Sequence, residues 1–198
     1  MRDVEELVRR LDRRPGPETD TVLDELVAGS LSHLPNAAHA GITIAAQDGS
    51  VRSVAATDRS PALLDEIQQR RQEGPCLTAA WTHQMIRVDD VEAELRWPGF
   101  CRDVILETPV RSILAFQLFT TGETTGALNF HAERPYAFDD DAVETGLALA
   151  THVALAWHMI RRDDQFRSAL ASRDVIGQAK GMIMERFDIN AVQAFELL

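Results

Sequence analysis

Two cysteines, Cys76 and Cys101, are the only thiols in the sequence and therefore the only candidates for thiol chemistry. They lie far apart along the chain, and they form neither a CxxC pair nor the spacing of a zinc site. His152 and His158 lie six residues apart, whereas a metal site shared on a helix uses a four-residue spacing. From these residues we predict no catalytic group and no metal centre.

A second group of candidate residues is cationic and lies near the C-terminal end. Residues 160–198 carry six cationic and six acidic residues, so the net charge of −11 lies entirely in residues 1–159. A strongly acidic chain does not coat nucleic acid non-specifically, because counterion release requires a basic surface. Arg173 and Lys180 are seven residues apart and share one helix face, which suits local contact with phosphates. A solvated helix face is the alternative interpretation of the same pattern.

The elements that must position these residues mix strands with helices. Two short apolar runs flank Asp48-Gly49 and predict a hairpin. Hairpins predominate and no repeated βαβ unit occurs, which favours an α+β fold with an antiparallel sheet flanked by helices. The predicted strands are 40–47, 51–57, 85–88, 110–120 and 124–132, and the predicted helices are 3–13, 19–33, 61–72, 76–81 and 97–106.

A long helix is predicted to follow the last strand. Its pattern runs from Asp139 to about Arg186 without a proline, which corresponds to roughly 70 Å of helix. A helix that outruns its own domain packs on a partner chain or leads into another domain, so we expect a homodimer with a coiled-coil segment. Gly177 and Gly181 lie inside this helix, where each costs about 0.5–1 kcal/mol relative to alanine. We expect them to allow close approach of another helix or a ligand.

The sequence contains no membrane-targeting pattern. The first 14 residues are charged throughout, unlike the apolar core of a secretory signal. No stretch reaches the roughly 18 apolar residues that a membrane-spanning helix needs. We therefore expect a cytoplasmic protein without membrane contact.

Several segments, in their order along the chain, resemble a GAF domain of the actinobacterial type. They are EGPCLTAAWTHQMIRVDDVEAELRWPGF at 73–100, VRSILAFQLF at 110–119 and GALNFHAERPYAFDDDA at 126–142. The segment ALASRDVIGQAKGMIMERFDINAVQAFELL at 169–198 resembles the start of an ANTAR domain, through its AKG, the Met-rich turn and QAFELL. The resemblance implies an N-terminal helix and linker at 1–18, a GAF sensor domain at 19–158, and a coiled-coil linker with the start of ANTAR at 159–198.

The combined resemblance implies a signal-responsive transcription regulator. Such a protein senses a signal through GAF, binds a stem-loop in nascent RNA through the complete ANTAR domain and promotes antitermination. The positions that this implies for RNA binding are Arg173, Lys180, Gly181 and Arg186.

The GAF resemblance also implies a small-molecule pocket between the sheet and the segment after the third helix. A plain hydrophobic core is the alternative for the same side chains, and the sequence identifies neither a ligand nor a cofactor. The implied lining residues are Cys76, Trp81, Trp97, Phe100, Cys101, Phe116 and Phe130.

Two other functions stay open at this point. An ANTAR domain has three helices, whereas this chain stops at Leu198, so we expect a truncated ANTAR part without its third helix. A GAF sensory and dimerisation module without RNA binding is therefore an alternative. The other is a GAF-fold methionine sulfoxide reductase using Cys76 and Cys101, which requires Cα atoms within about 7 Å of each other.

Overall fold

The computed structural model describes residues 17–78 and 85–197. Five strands form one antiparallel sheet in the order β2-β1-β5-β4-β3, which confirms the predicted α+β class. The strands are β1 His39–Ala46, β2 Val51–Ala56, β3 Met85–Val88, β4 Ser112–Thr121 and β5 Thr124–Ala132. The helices are α1 Pro17–His33, α2 Arg59–Arg71, α3 Pro75–Thr78, α4 Pro98–Glu107, α5 Asp140–Phe187 and α6 Ala191–Glu196. The predicted helix at 3–13 and the residues 79–84 lie outside the described residues.

The hairpin predicted at Asp48-Gly49 joins β1 to β2. Gly49 has a φ of 85°, a left-handed conformation that favours glycine. The Asp48 carboxylate accepts a hydrogen bond from the backbone N–H of Ser50 at 2.9 Å. The turn chemistry of these residues therefore sets the register of the two strands.

The start of helix α2 differs from the sequence prediction, and local capping explains the difference. Helix α2 begins two residues early because Asp58 caps it, accepting from the backbone N–H of Ser60 at 2.7 Å. The described part of helix α1, Pro17–His33, includes the predicted helix at 19–33.

The sheet has two buried faces. On the α2 face, Thr43 of β1 meets Asp65 of α2. On the α5 face, Phe116 of β4 lies against Gly146 of α5, and α1 covers the β1 and β2 end. Successive residues of a strand point to opposite faces, so each strand contributes to both cores.

Helix α5 is 48 residues long, as the sequence predicted. Asp139 caps it by accepting from the backbone N–H of Ala142 at 2.9 Å. The chain separates into two compact units within this helix, between Leu155 and Ala156. The first unit holds the sheet, and the second, here called the tail, holds the end of α5 and all of α6.

Candidate functional site

The residues predicted to line one pocket are distributed over both faces of the sheet. Phe116 and Phe130 lie on the α5 face, with ring centroids 6.4 Å apart in an edge-to-face contact. Trp97, Phe100 and Cys101 lie on the α2 face, in a cluster that includes Ile113 and Ala115 of β4. Cys76 belongs to another small cluster on the α2 face, with Ala45 and Ala127. Trp81 lies outside the described residues.

The prediction of a single pocket is therefore wrong for Phe116 and Phe130. The two-residue period of β4 separates Ala115 from Phe116, because neighbouring side chains point to opposite faces. Both faces of the central strands are apolar, so composition alone does not show which face a residue occupies. Ligand binding by Cys76, Trp97, Phe100 and Cys101 stays a prediction.

The start of α4 is held by polar contacts from the end of α2. The Glu73 carboxylate accepts hydrogen bonds from the backbone N–H groups of Gly99 and Phe100, at 2.7 and 3.1 Å. The guanidinium of Arg96 lies 4.5 Å from the ring centre of Trp97. These contacts fix the aromatic cluster in place, with Trp97 and Phe100 almost fully buried.

Both cysteines are buried free thiols. Burial, together with the negative charge of Asp65, raises the pKa of Cys76 to about 12. Burial and the charge of Glu94 raise the pKa of Cys101 to about 12 as well. Because the thiolate is the reactive form, neither environment activates a nucleophile.

A buried polar cluster lies on the α2 face and was missed by the sequence analysis. The Thr43 hydroxyl donates to the Asp65 carboxylate, with 2.9 Å to each oxygen. Gln68 donates to Asp65 at 3.2 Å, and its carbonyl oxygen accepts from the backbone N–H of Cys76 at 2.9 Å. Asn129 of β5 donates to Thr43 at 2.7 Å. The available signal was a Thr and an Asn among the apolar residues at the centres of two strands, at positions that face inward.

Asp65 is the carboxyl group of this cluster, and its pKa is strongly shifted. Burial raises its pKa to about 7, against the hydrogen bonds from Thr43 and Gln68 that favour the charged form. A carboxyl group removed from water loses the solvation that stabilises its charge. The Asp65 carboxyl group therefore binds a proton more readily than an ordinary surface aspartate.

A second buried titratable group lies where β1 pairs with β5. His39 and His131 are directly opposite in the register. His39 Nδ1 contacts the Asp58 carboxylate, and His39 Nε2 lies 3.4 Å from Glu133. Burial and the neighbouring His39 lower the pKa of His131 to about 3, so that its ring is neutral at physiological pH.

An ion-pair cluster ties α2 to α4. Arg71 binds both oxygens of Asp103, at 2.6 and 2.9 Å, and Arg70 binds the same carboxylate at 2.9 Å. The hydrogen bonds from Arg71 and Arg70 hold the pKa of Asp103 well below its usual range. We assign this cluster to packing of the helices, since every one of these groups is paired within the chain.

The predicted RNA-binding positions all lie on α5, in the tail. Arg173, Gly181 and Arg186 are exposed, and Lys180 is half-buried. At 100° per residue, Arg173 and Lys180 are about 20° apart around the helix, whereas Arg186 lies about 120° from Lys180. The structure therefore brings Arg173 and Lys180 to one face and places Arg186 on another, where it borders a shallow apolar groove with Met182.

Gly177 and Gly181 do not face any neighbouring element of the described chain. A Cβ atom built at either position meets no described atom within 4 Å. The predicted close approach of another helix is therefore not made by any of the residues that the structure describes. An approach by another molecule stays a prediction.

No group of three or more His, Cys, Asp or Glu side chains in 17–78 and 85–197 is arranged to hold a metal ion. No helix in the same residues is both long and apolar enough to cross a lipid bilayer.

Comparison with known families decides what the sheet unit is. The family model of the GAF domain matches residues 17–158, which is most of the chain. The chain belongs to the GAF domain family. In this GAF protein, the family model of the ANTAR domain matches residues 164–198, within the tail. The two domains together support a regulator that couples a sensor to RNA binding.

Solved structures agree with the GAF fold. A domain assigned to a two-component sensor histidine kinase of Sinorhizobium meliloti 1021 superposes with a TM-score of 0.59 and 22% identity, covering 75% of this chain and 97% of that one. The type II free methionine-R-sulfoxide reductase of Thermoplasma acidophilum superposes with a TM-score of 0.52 and 12% identity, covering 71% of this chain and 93% of that one. For the GAF domain of a phosphoenolpyruvate-protein phosphotransferase of Coxiella burnetii, the TM-score is 0.53 and the identity 15%, with 81% of this chain and 94% of that one covered.

At these identities the likeness concerns the fold alone. No curated protein matched the sequence of this GAF protein. The resemblance to a methionine sulfoxide reductase therefore carries no catalytic assignment, and the raised pKa values of Cys76 and Cys101 give that chemistry no support.

Proposed function

We propose that this protein is a cytoplasmic transcription regulator of the actinobacterial GAF–ANTAR type, which binds a stem-loop in nascent RNA and promotes antitermination in response to a signal. The observation that carries the proposal is the presence of GAF and ANTAR matches in one chain, joined through the continuous helix α5. The proposal includes the division of the chain into an N-terminal helix and linker at 1–18, a GAF sensor domain at 19–158, and a coiled-coil linker with the start of ANTAR at 159–198.

The charge distribution supports an RNA contact that is local to the tail. The acidic excess belongs to residues 1–159, whereas residues 160–198 are neutral with six cations. Arg173 and Lys180 on one face lie two helical turns apart, about 10 Å along the axis. That separation suits contact with phosphates of one RNA backbone, with Gly181 beside Lys180 giving an RNA strand close access to the helix.

Binding of the full chain to RNA stem-loops, measured by gel shift, tests this proposal. Lys180→Ala removes the half-buried cation of the proposed face and is expected to weaken binding by about tenfold, the value of one strong phosphate contact. Arg162→Ala is the matched control, because it removes an exposed cation of the same helix outside the ANTAR match. Equal behaviour of the two variants, or no RNA binding by the parent, would contradict the RNA part of the proposal.

We also propose that the protein is a homodimer through the exposed face of α5. Leu147 and Leu155 lie eight residues apart on this helix, about 80° apart around its axis, and their side chains are 52% and 62% exposed. Large apolar side chains that recur on one helix face are typical of a contact surface. A second copy of the chain offers the same stripe, as a two-fold symmetric interface requires.

Light scattering at micromolar concentration tests the dimer. Replacing both Leu147 and Leu155 by Glu is expected to convert a dimer into a monomer, because it buries two like charges per chain. Leu95→Glu is the control, since Leu95 is 86% exposed on a loop of the sheet unit. A monomeric parent would refute the proposed dimer and leave a GAF sensor without this interface.

A further inference from the structure

The buried carboxylate of Asp65 has hydrogen-bond partners that are unusual for a buried acid. It accepts hydrogen bonds from Thr43 and Gln68, and the Ser53 side chain also acts to lower its pKa. All of these partners are neutral, so no cation in the described hydrogen-bonding set balances the charge. A buried carboxylate without a positive partner is unfavourable, even where its oxygens are hydrogen-bonded.

The groups that face Asp65 come from every element packed around it. Glu66 on α2 is acidic and opposes ionisation, and Cys76 on α3 is a thiol that stays neutral. The strands present the neutral side chains of Thr43, Ser53 and Asn129. No titratable neighbour in this set stabilises the charge, so the proton is the counterion that the site accommodates.

The hydrogen bonds of the cluster also form a chain in which every donor points toward Asp65. Asn129 donates to Thr43, and Thr43 donates to Asp65, at 2.7 and 2.9 Å. The carbonyl oxygen of the Asn129 side chain is buried and has no hydrogen-bond partner among the described residues. An unused buried acceptor is costly, and it is the atom that a reversed chain of donors would use.

We propose that Asp65 is the proton-binding site of this GAF domain, and that protonation reverses the hydrogen-bond chain through Thr43 to Asn129. One proton from solvent converts the carboxylate into the acid, whose O–H donates to the Thr43 oxygen. The Thr43 hydroxyl then donates to the Asn129 carbonyl oxygen after the amide turns by half a rotation. The proposal rests on the sensor role given above to the GAF domain, and it names the proton as a signal for that sensor.

The contacts of the cluster give this reversal a route to neighbouring elements. Gln68 donates to Asp65 and accepts from the backbone N–H of Cys76, so it links the carboxyl group to α3. Asn129 belongs to β5, the strand that precedes α5 in the chain. A change of charge at Asp65 therefore changes hydrogen bonds on β1, β5 and α3 together.

Proton binding also predicts the sign of a pH effect on folding. The pKa of Asp65 is about 7 in the folded chain and 3.8 as the reference for an exposed group. The folded state therefore holds more protons than the unfolded state between these values. The contribution of Asp65 to stability is complete below about pH 4 and is lost as the pH rises to about 7.

Urea unfolding of the full chain from about pH 5 to about pH 8 tests the proposal. Asp65→Asn mimics the protonated group, so its stability should not fall with rising pH as that of the parent does. The ratio of its folding equilibrium constant to that of the parent should rise by on the order of 100-fold from about pH 5 to about pH 8. Glu66→Gln is the matched control, because it removes the same charge from the neighbouring, exposed position. Parallel pH profiles for the parent and Asp65→Asn would overturn the proposal.

A second measurement needs no change at Asp65. The carboxyl carbon of Asp65, followed by NMR in the parent chain, should titrate with a midpoint near neutral pH. Thr43→Val removes a donor to the carboxylate and should move that midpoint upward. A midpoint at the ordinary value, about pH 4, would refute the proton site. Neither measurement uses RNA, so its failure is distinct from a failure of the proposed RNA binding.

Discussion

The sheet unit and the tail differ in how far they bury large apolar side chains in a core of their own. In the sheet unit, Phe100, Phe116 and Phe130 are fully enclosed between the sheet and its helices. In the tail, Met182 is 72% exposed and Phe195 is 63% exposed. The sheet unit thus completes its own core, whereas the described tail presents apolar and cationic side chains to its surroundings. Surfaces of that kind are typical of contacts with another molecule.

The charged groups show the same difference. In the sheet unit, Asp103 is held by two arginines, and Asp65 is sealed inside the polar cluster. In the tail, Arg173 and Arg186 extend into solvent. Asp103 and Asp65 of the sheet unit are therefore engaged inside the fold, while Arg173 and Arg186 of the tail are open to contact with a ligand.

Truncation of a phenylalanine in each region gives the largest expected contrast. Phe116→Ala empties a buried site between β4 and α5 and should lower the free energy of unfolding by about 3–5 kcal/mol. Phe195→Ala, on exposed α6, should change it by no more than about 0.5 kcal/mol. Urea denaturation of both variants measures this. Similar losses in the two would show that the tail has a core of its own.

A glycine-to-alanine change should have opposite signs in the two regions. A Cβ atom at Gly146 would lie 2.4 Å from the Phe116 ring, so Gly146→Ala should destabilise the sheet unit by about 1–3 kcal/mol. This cost exceeds the gain in helix propensity. Thermal unfolding followed by circular dichroism measures the change, and a more stable variant would contradict the packing of α5 on β4.

The smallest expected effect concerns the tail. Gly181→Ala meets no described neighbour and should stabilise helix α5 by about 0.5–1 kcal/mol. If Gly181 admits RNA, the same change should also weaken RNA binding. Gly177→Ala gives the same gain in helix propensity at an open site outside the predicted RNA set. Equal RNA affinity of the two variants would remove Gly181 from the proposed interface.

The sequence predicted the helices and strands more accurately than it predicted which face of the sheet each residue occupies. The hairpin at Asp48-Gly49 and the boundaries of β5 follow from turn chemistry and β-branched runs, which are local signals. The partition of Ala115 and Phe116 between two cores depends on which helix covers which face, which no local pattern specifies. The cluster around Asp65 was not identified for the same reason, since Thr43, which donates to Asp65, and Asn129, which donates to Thr43, come from strands distant from Asp65 in the sequence.

The measurement that tests the central claim most directly is the affinity of the full chain for an RNA stem-loop as a function of salt concentration. The account predicts that log K falls linearly with log salt, at about −0.7 for each single-stranded phosphate contacted. Lys180→Ala should reduce that slope by about 0.7, and Arg162→Ala should leave it unchanged. A parent chain whose affinity is absent or independent of salt would contradict an RNA-binding tail.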